Sequence, residues 1–347
     1  MDIKNLYMYK EIHEQKEVLQ RTYDVNIEKI KHIVSLMKEK EITNVILTAR
    51  GSSDNVCVYF KYLCEIFAGL PCGFAAPSVS TLYHGKLKYN HTLVIGVSQS
   101  GSGLDILEVL EEAKKAGAFT ISITNNENSL LANSSHYHLF LSCGIEHSVA
   151  ATKTFIAEMY ILGLLCAEIA DSDYLRKNLS LVPSLLEKTL ENEDKIFSLA
   201  ESCVDFHDAY ILSRGINYVT CLESALKLQE TTYIKSKAYS ISDFYHGPFA
   251  VVDSKTNIFL LHGYGKANMD NYEMFEKLLD SSANVYVISN DEYFKDYEKT
   301  FMIPICEEVI SPFALIETMQ LFSLGLSVKK GLNPDKPRGL KKVTITK

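Results

Sequence analysis

The sequence LVIGVSQSGSG, residues 93–103, changes character halfway along. Its first five residues are apolar or small and predict a buried strand, whereas the last six predict a tight turn. Residues 104–118, LDILEVLEEAKKAGA, continue with helical spacing. Because glycines allow close approach and the first N–H groups of a helix lack partners within it, the unit predicts a phosphate cradle. Any βα turn of a parallel sheet also favours Gly and Ser, so the rest of the chain must distinguish the two interpretations.

The same pattern recurs on both sides of this stretch. Residues 44–48, NVILT, predict a strand, and the turn ARGSSD opens a helix that Ser53 or Asp54 can cap. Further strands are predicted within 71–81, 119–124 and 125–143, and a helix within 154–170 ends the series. This alternation predicts a right-handed, doubly wound parallel sheet.

The second half repeats the plan after a charge-rich helical connection with Pro183 near a helix start. Strands are predicted at 209–215, 257–263 and 284–289, helices at 219–236, 271–282 and 312–331, and a turn at 242–250. Two αβα units in tandem are therefore expected. Four segments are predicted. Residues 1–40 form N-terminal helices, read from the stretches 11–23 and 25–40, which pack on the first domain. The first domain is 41–170, a helical connection is 171–200, and the second domain is 201–347.

The two predicted halves differ at their turns. ARGSS at 49–53 corresponds to SRGIN at 213–217, which lacks the serines, and the second half has no counterpart of SQSGSG. This asymmetry places the expected phosphate in the first half only.

Composition narrows the possible functions. The 347 residues are 47% hydrophobic with a formal net charge of −8, and no run of Lys or Arg is interleaved with aromatics, so no nucleic-acid partner is expected. The eight cysteines lack CxxC spacing and lie mostly in apolar runs, which predicts buried thiols in a reducing cytoplasm. A charged N-terminus and the lack of an apolar run of about 18 residues predict neither secretion nor a membrane span. No metal and no cofactor are expected.

Seven motifs resemble the tandem sugar-isomerase (SIS) domains of glucosamine-6-phosphate synthase and its stand-alone relatives, which include glucosamine-6-phosphate deaminases and fructosamine-6-phosphate deglycases. The motifs are ARGSSDN (49–55), AAPSVST (75–81), VSQSGSG (97–103), IEHSVAATKTF (145–155), ESALKLQETTY (223–233), YHGPFAVVD (245–253) and NPDKPRGLKKVT (333–344). The resemblance extends from near residue 10 to the C-terminus. It implies two tandem SIS domains, each a mostly parallel, doubly wound sheet between helices, a three-layer flavodoxin-like αβα fold.

The resemblance also implies which groups bind the phosphate. Ser98, Gln99 and Ser100 would contact it, with help from Ser52 and from the backbone near Val149.

Two positions in the same loop depart from the family pattern. Gly103 stands where the synthase has a phosphate-contacting threonine, and Ser102 where it has a glutamate. Loss of one hydroxyl donor is expected to cost about 0.5–1.5 kcal/mol of binding unless Ser102 replaces it. Lys341 matches an alanine whose backbone helps at the phosphate.

Glu223, Lys227 and Glu230 stand at i, i+4 and i+7 and project from one face of the predicted helix ESALKLQE. A solvated ion-pair ladder is one interpretation, but the remaining residues of the helix are mostly apolar, which favours a stripe that lines a cleft. The resemblance implies that Glu230 is the base that moves a proton between C1 and C2, with Glu223 and Lys227 in support. One carboxylate is enough for this transfer, because it can take a proton from one carbon of an enediol and return it to the other.

His246 and Lys342 complete the expected catalytic set. His246, in a turn where a histidine is often only solvent-facing, matches the residue that opens the sugar ring and comes from the neighbouring subunit in the synthase. Because the matching residue acts in the site of a neighbouring subunit, the resemblance implies a homodimer. Lys342, otherwise only a solubilising charge, matches the lysine that forms a Schiff base with the open-chain ketose. Such a lysine needs a neutral amine part of the time, which burial or a nearby positive charge favours.

The expected reaction follows from what the chain contains. It starts Met1-Asp2 without an N-terminal nucleophilic cysteine or a glutaminase domain, so we do not expect it to obtain ammonia from glutamine. Deamination of glucosamine 6-phosphate to fructose 6-phosphate and ammonia is therefore favoured. The alternatives are deglycation of a fructose-amino-acid 6-phosphate, plain aldose–ketose isomerisation, and a non-catalytic module that senses a sugar phosphate. The joint presence of Glu230, His246 and Lys342 favours an enzyme.

Overall fold

The computed structural model describes residues 2–342. Met1 and residues 343–347, the outermost ends of the predicted segments 1–40 and 201–347, lie outside the described residues. The chain has an α/β fold with two five-stranded sheets, each wholly parallel and flanked by helices. This confirms the predicted class. That the two sheets belong to two SIS domains stays a prediction.

The described residues divide into two compact units. The first unit contains residues 17–146 and 153–179 together with 341–342, and the second contains 2–16, 147–152 and 180–340. The chain thus passes from one unit to the other more than once. The predicted domain limits at residues 40, 170 and 200 stay a prediction.

The sheet of the first unit has the flavodoxin-like strand order. Its strands β1–β5 are Asn44–Thr48, Cys72–Phe74, Thr92–Val97, Phe119–Thr124 and Tyr137–Phe140. They are arranged as β2-β1-β3-β4-β5, so the order reverses between β1 and β3. β3 and β4 are buried along their whole length, as expected for central strands of a parallel sheet that is covered on both faces.

Helices α1–α14 follow in chain order. They are Tyr7–His13, Gln15–Glu39, Ser52–Leu63, Pro77–Thr81, Leu104–Lys115, Leu130–Ser134, Lys153–Ile169, Asp173–Ser180, Val182–Leu190, Glu193–Ser202, Tyr218–Thr232, Ile241–Tyr245, Asn268–Asp280 and Ser311–Lys329. Among the helices of the described residues, none is both long enough and apolar enough to cross a bilayer.

Helix α2 covers the open edge of the first sheet beside β5. The Asn26 side chain donates to the Phe140 carbonyl at 2.7 Å and accepts from the Phe140 N–H at 3.1 Å, while the Thr22 hydroxyl donates to the Leu141 carbonyl at 2.5 Å. These bonds occupy strand groups that would otherwise be open to another chain. The predicted interruption between residues 23 and 25 is wrong, because α2 continues through these residues. The Asn26 side chain bonds to the strand and does not end the helix.

The sheet of the second unit has the same strand order as the first. Its strands β6–β10 are Asp208–Ser213, Lys235–Ser240, Asn257–His262, Asn284–Ser289 and Thr300–Met302, arranged as β10-β9-β8-β6-β7. The predicted helix 219–236 is too long: it ends at Thr232, and Tyr233 adopts φ 59°, a left-handed conformation that stops a helix. The edge strands β7 and β10 were not predicted.

Helix α14 forms the core beside the second sheet. It is buried from Ser311 to Ser327 and packs against α9, α10 and α11. A helix that is apolar nearly all round has to be enclosed by other elements. Its bounds agree with the predicted helix 312–331.

Candidate active site

The loop between β3 and α5 turns sharply at Gly101. This residue has φ 64°, and a Cβ atom there would lie 2.2 Å from Ser129 Oγ, so glycine is required. The Gly101 N–H donates to the Ser98 hydroxyl oxygen at 3.2 Å, and the Ser102 N–H donates to the Ser100 hydroxyl oxygen at 3.3 Å. Since both hydroxyls accept from the loop, their own protons can be donated to an anion.

Two helices begin beside this loop without a side-chain cap. Gly103 is the N-cap of α5, and Gly51, with φ 58°, is the N-cap of α3, whose first residue is Ser52. The predicted caps Ser53 and Asp54 are both wrong, because the two residues lie inside α3, and the Ser53 hydroxyl donates to Glu158 at 2.9 Å. Uncapped helix starts are suited to anions, since the N–H groups of the first turn lack partners within the helix.

The loops that follow β1 and β3 lie side by side at the carboxyl edge of the sheet, because the two strands are parallel neighbours. An ion pair joins them: Arg50 Nε donates to Asp105 Oδ2 at 2.7 Å, and Asp105 is buried. The structure therefore brings Ser52 near the loop 98–103 at the reversal of strand order, where sheets of this type bind ligands. Sequence reasoning missed the Arg50–Asp105 pair, although Arg50 stands in the motif ARGSSDN and Asp105 follows VSQSGSG by two residues.

Gln99 and Ser102 belong to the same loop. The Gln99 carbonyl accepts from the Asn125 N–H at 2.9 Å, and its side chain is half-buried. The Ser102 hydroxyl donates to the Ser100 carbonyl at 3.4 Å and is thus directed into the loop. Its predicted replacement of the missing threonine at Gly103 stays a prediction.

Val149 groups with the second unit and lies in a loop held by a residue that was not predicted. The buried Glu11 carboxylate accepts from the N–H groups of His147 and Ser148, the latter at 3.2 Å. The roles predicted for the backbone of Val149 and for the exposed Lys341 stay predictions.

The charged stripe of α11 is buried. Lys227 Nζ lies 2.5 Å from Glu230 Oε2 and 3.3 Å from Glu223 Oε1. The side chains of Lys227 and Glu223 are each 1% exposed, and that of Glu230 is 18% exposed. The stripe is therefore no solvated ladder, and Glu230 is its most accessible member.

Lys227 holds one oxygen of the predicted base. Burial alone lowers the pKa of Lys227, but the Glu223 and Glu230 carboxylates outweigh burial and raise that pKa above its usual value. Lys227 therefore stays an ammonium group. Among the described residues, Glu230 Oε1 has no hydrogen-bond partner, whereas Oε2 is held by Lys227. A carboxylate with one oxygen fixed and one open is suited to proton exchange with a substrate.

His246 is exposed in the turn after α12. Its N–H donates to the Asp243 carbonyl at 3.1 Å, and Gly247 follows with φ 128°. Within residues 2–342 the imidazole has neither a hydrogen bond nor an ion pair. The structure does not test its predicted role.

Lys342 forms an ion pair with a fully buried carboxylate. Its Nζ lies 2.5 Å from Glu146 Oε2, and Glu146 also accepts from the hydroxyl and N–H groups of Thr154 at 2.7 and 3.1 Å. Sequence reasoning missed Glu146, although it stands in the motif IEHSVAATKTF. The Schiff base predicted for Lys342 stays a prediction.

Two contacts within the second unit anchor the C-terminal segment. The buried Asp335 carboxylate accepts from the N–H groups of Tyr7 and Met8, each at 2.8 Å, and so caps α1. The Arg338 N–H donates to the Tyr233 hydroxyl at 2.9 Å, and its guanidinium lies 4.2 Å from the centre of the same ring.

A side chain fills the corresponding loop of the second unit, between β8 and α13. Glu308 Oε2 accepts from the Lys266 N–H at 3.1 Å, and a Cβ atom at Gly265 would lie 2.2 Å from Glu308 Cδ. Asn268 Oδ1 accepts from the Gly265 N–H at 2.7 Å. The loop thus uses its own carboxylate and amide where an anion would bind, which supports the predicted asymmetry between the halves.

The cysteine and acidic side chains of the described residues form neither a disulfide nor a metal site. All eight cysteines are free thiols, and all but Cys306 are buried. Over residues 2–342, no group of three or more His, Cys, Asp or Glu side chains is placed to hold a metal ion.

Residues 37–167, which include β1–β5 and the loops just described, match the family model of the SIS domain. The chain therefore contains a SIS domain over residues 37–167. Its relatives extend the similarity to the second unit. It is 32% identical over 345 residues to the isomerizing glutamine–fructose-6-phosphate aminotransferase of Methanothermobacter thermautotrophicus, a match that covers 98% of this chain and 57% of that protein. The chain therefore spans little more than half the length of the curated relatives it matches.

Two solved structures share the fold. The C-terminal domain of glucosamine-fructose-6-phosphate aminotransferase from Francisella tularensis has a TM-score of 0.87 and 24% identity, over 96% of this chain and 98% of that chain. Glucosamine-6-phosphate deaminase from Thermotoga maritima has a TM-score of 0.77 and 24% identity, over 98% of this chain and 100% of that chain.

Proposed function

We propose that this chain is a phosphosugar isomerase that deaminates an amino-sugar 6-phosphate, with glucosamine 6-phosphate as its substrate. The observation that carries the proposal is the loop 98–103 at the reversal of strand order, with two hydroxyls and two uncapped helix starts beside it. The family match includes this loop. The name of the aligned relatives joins fructose 6-phosphate, an amino group and isomerisation, which supports an amino-hexose phosphate as ligand.

The proposed chemistry uses Glu230 as the base for the proton transfer between C2 and C1. His246 opens the ring by moving a proton between O1 and O5. Glu230 then takes the proton from C2 of the open aldehyde and returns it to C1, which converts the C2 amine into a ketimine. Water adds to the ketimine, and ammonia leaves with fructose 6-phosphate as the product. The C2 proton ends on C1, O1 takes up the proton that the amine nitrogen loses, and one water is consumed, so the reaction is balanced.

Lys342 has a different role in this proposal from the one that the resemblance implies. Its Nζ lies beside the buried Glu146 carboxylate, and we propose that it contacts substrate oxygen without forming a Schiff base. Deamination tolerates this, because the substrate supplies its own amine for the ketimine.

The second unit is proposed to be a second SIS domain. Both sheets have the strand order 2-1-3-4-5 when each is counted from its own first strand. We further propose that the chain acts as a homodimer, with His246 supplied by the partner chain, since this imidazole is exposed and without a partner among the described residues.

The proposal is tested by incubating the purified protein with glucosamine 6-phosphate, a fructose-amino-acid 6-phosphate and fructose 6-phosphate in parallel. Ammonia, free amino acid and ketose phosphate are measured in each. We expect ammonia and fructose 6-phosphate in equal amounts from glucosamine 6-phosphate. Free amino acid from the second substrate, without ammonia from the first, would indicate a deglycase. No turnover together with binding would indicate a sensor.

A further inference from the structure

A cleft of about 760 Å³ opens within the second unit, and none of the three charged residues of the α11 stripe lines it. It is lined by the first three residues of β6 and of β7 and by the turn before β8. The amino ends of these strands therefore form its floor. Its size is in the range of sites for small metabolites.

Four cations from three separate parts of the chain surround this cleft. Lys235 and Lys237 alternate on one face of β7, Lys255 lies in the turn before β8, and Arg338 belongs to the C-terminal segment. Within residues 2–342, none of the four forms an ion pair with a carboxylate. Such a group of cations is unusual in a chain with a net charge of −8.

Two carboxylates also line the cleft, but they do not neutralise it. Asp253 Oδ1 accepts from the Lys255 N–H at 2.9 Å and from the Thr256 hydroxyl at 3.0 Å, so one of its two oxygens is committed to its own turn. The backbone N–H of Lys255 lowers the pKa of this carboxyl. Asp208 is exposed at the start of β6. Four positive groups against two negative ones leave the cleft with an excess of positive charge.

The walls between the cations are apolar and aromatic. Tyr210, Tyr233, Ile234 and Val251 line the cleft, and Arg338 lies over the ring of Tyr233. Cations around an apolar floor suit a ligand that has an anionic end and a less polar body.

We propose that this cleft binds a phosphorylated small metabolite, at a site separate from the loop 98–103. The phosphate would be held by Lys237, Lys255 and Arg338, and the body of the ligand would lie against the tyrosines. The alternative explanation is structural: β7 is an edge strand, and lysines on edge strands discourage pairing with other chains. Lys255 and Arg338 lie outside the strand, and edge protection does not account for them.

The test is equilibrium binding of inorganic pyrophosphate to the full chain, measured by calorimetry. The wild type is expected to show two classes of site. Ser98→Ala/Ser100→Ala should weaken one class, and Lys237→Glu should weaken the other by about tenfold to a hundredfold, as expected for a charge-assisted contact. Lys188→Glu, an exposed reversal on α9 away from the cleft, is the matched control and should change neither class.

Lys255→Glu gives an independent test, because it changes a turn and leaves the strand intact. It should weaken the same class of site as Lys237→Glu, with an unchanged circular dichroism spectrum. The proposal would be overturned if the wild type bound pyrophosphate only at the site that Ser98→Ala/Ser100→Ala weakens. It would also be overturned if both lysine variants bound pyrophosphate with unchanged affinity. If the wild type bound pyrophosphate only at the site that the two lysine variants weaken, the result would count against the proposed function and would still support the cleft site.

Discussion

Lys227 is a buried cation between two carboxylates, and the proposed base depends on it. The Lys227 ammonium group contacts both Glu223 and Glu230. Glu230 is the member of this triad that a substrate can reach, because it is the most exposed of the three. The sequence could identify the stripe by its spacing. It could not identify Glu146 as the partner of Lys342, because the two residues lie far apart in the chain.

Replacement of Lys227 by Met should destabilise the fold strongly. The substitution removes the ammonium group that Glu223 and Glu230 share, and removing one partner of a buried ion pair typically costs about 3–5 kcal/mol. Urea unfolding at pH 7 measures the change. Lys188→Met, an exposed site on α9, is the control and should stay within about 0.5 kcal/mol of wild type. Equal stability of the two variants would show that the triad contributes no net stability.

The stability that Lys227 contributes should depend on pH only in strong base. The carboxylates raise the folded-state pKa of Lys227 above its usual value of 10.5. A raised lysine pKa means that the contribution is fully present below 10.5 and is lost as pH rises through the folded-state value. Urea unfolding of wild type and Lys227→Met across pH 7–11 measures this difference. A difference that shrinks between pH 7 and 9 would contradict the assignment.

At the scale of elements, the loop after β3 and the loop after β8 occupy equivalent places in two sheets of the same order. The first is built on Ser98 and Ser100 and leaves its helix start uncapped, whereas the second is filled by Glu308. The missing serines in the second half predicted that only one loop binds phosphate. The carboxylate that replaces the anion was not predictable, because Glu308 follows the loop by some 40 residues of sequence.

Gly101→Ala should disable the phosphate loop. The residue combines φ 64° with a Cβ position 2.2 Å from Ser129 Oγ, so alanine brings both backbone strain and a collision. We expect a higher KM for the phosphosugar. Gly117→Ala is the matched control, since φ is 92° but nothing lies within 4 Å of its Cβ position. It should lose about 1–2 kcal/mol of stability with KM unchanged. An unchanged KM in Gly101→Ala would remove the loop from the binding site.

The strands that the sequence predicted well are the buried ones. β3, TLVIGV, is apolar or small after its first residue, and β4, FTISIT, consists of apolar and small hydroxyl residues, so strands buried on both faces leave a pattern that is easily recognised. β7, KSKAYS, is an edge strand whose lysines face solvent, and β10 has three residues, so neither has an apolar pattern of its own. β7 and β10 are strands because they pair with β6 and β9, and the periodicity of the sequence does not indicate such pairing.

At the scale of the whole molecule, the account requires two chains. Mixing inactive Glu230→Gln with inactive His246→Ala, under conditions that allow subunits to exchange, should restore activity. A random mixture is about half heterodimer, and each heterodimer has one intact site and one doubly damaged site. Activity should therefore approach about a quarter of the wild-type value per chain. If exchange is verified and the mixture stays inactive, His246 acts within its own chain or has no role.

The most direct test of the central claim is solvent exchange at C2 of glucosamine 6-phosphate, followed by NMR in D₂O. Wild type should incorporate deuterium, because Glu230 removes the C2 proton and equilibrates with solvent. Glu230→Gln should lower the exchange rate by about 10²-fold or more, with phosphate binding and the far-ultraviolet spectrum unchanged. Exchange in Glu230→Gln at the wild-type rate would show that another group is the base and would contradict the account.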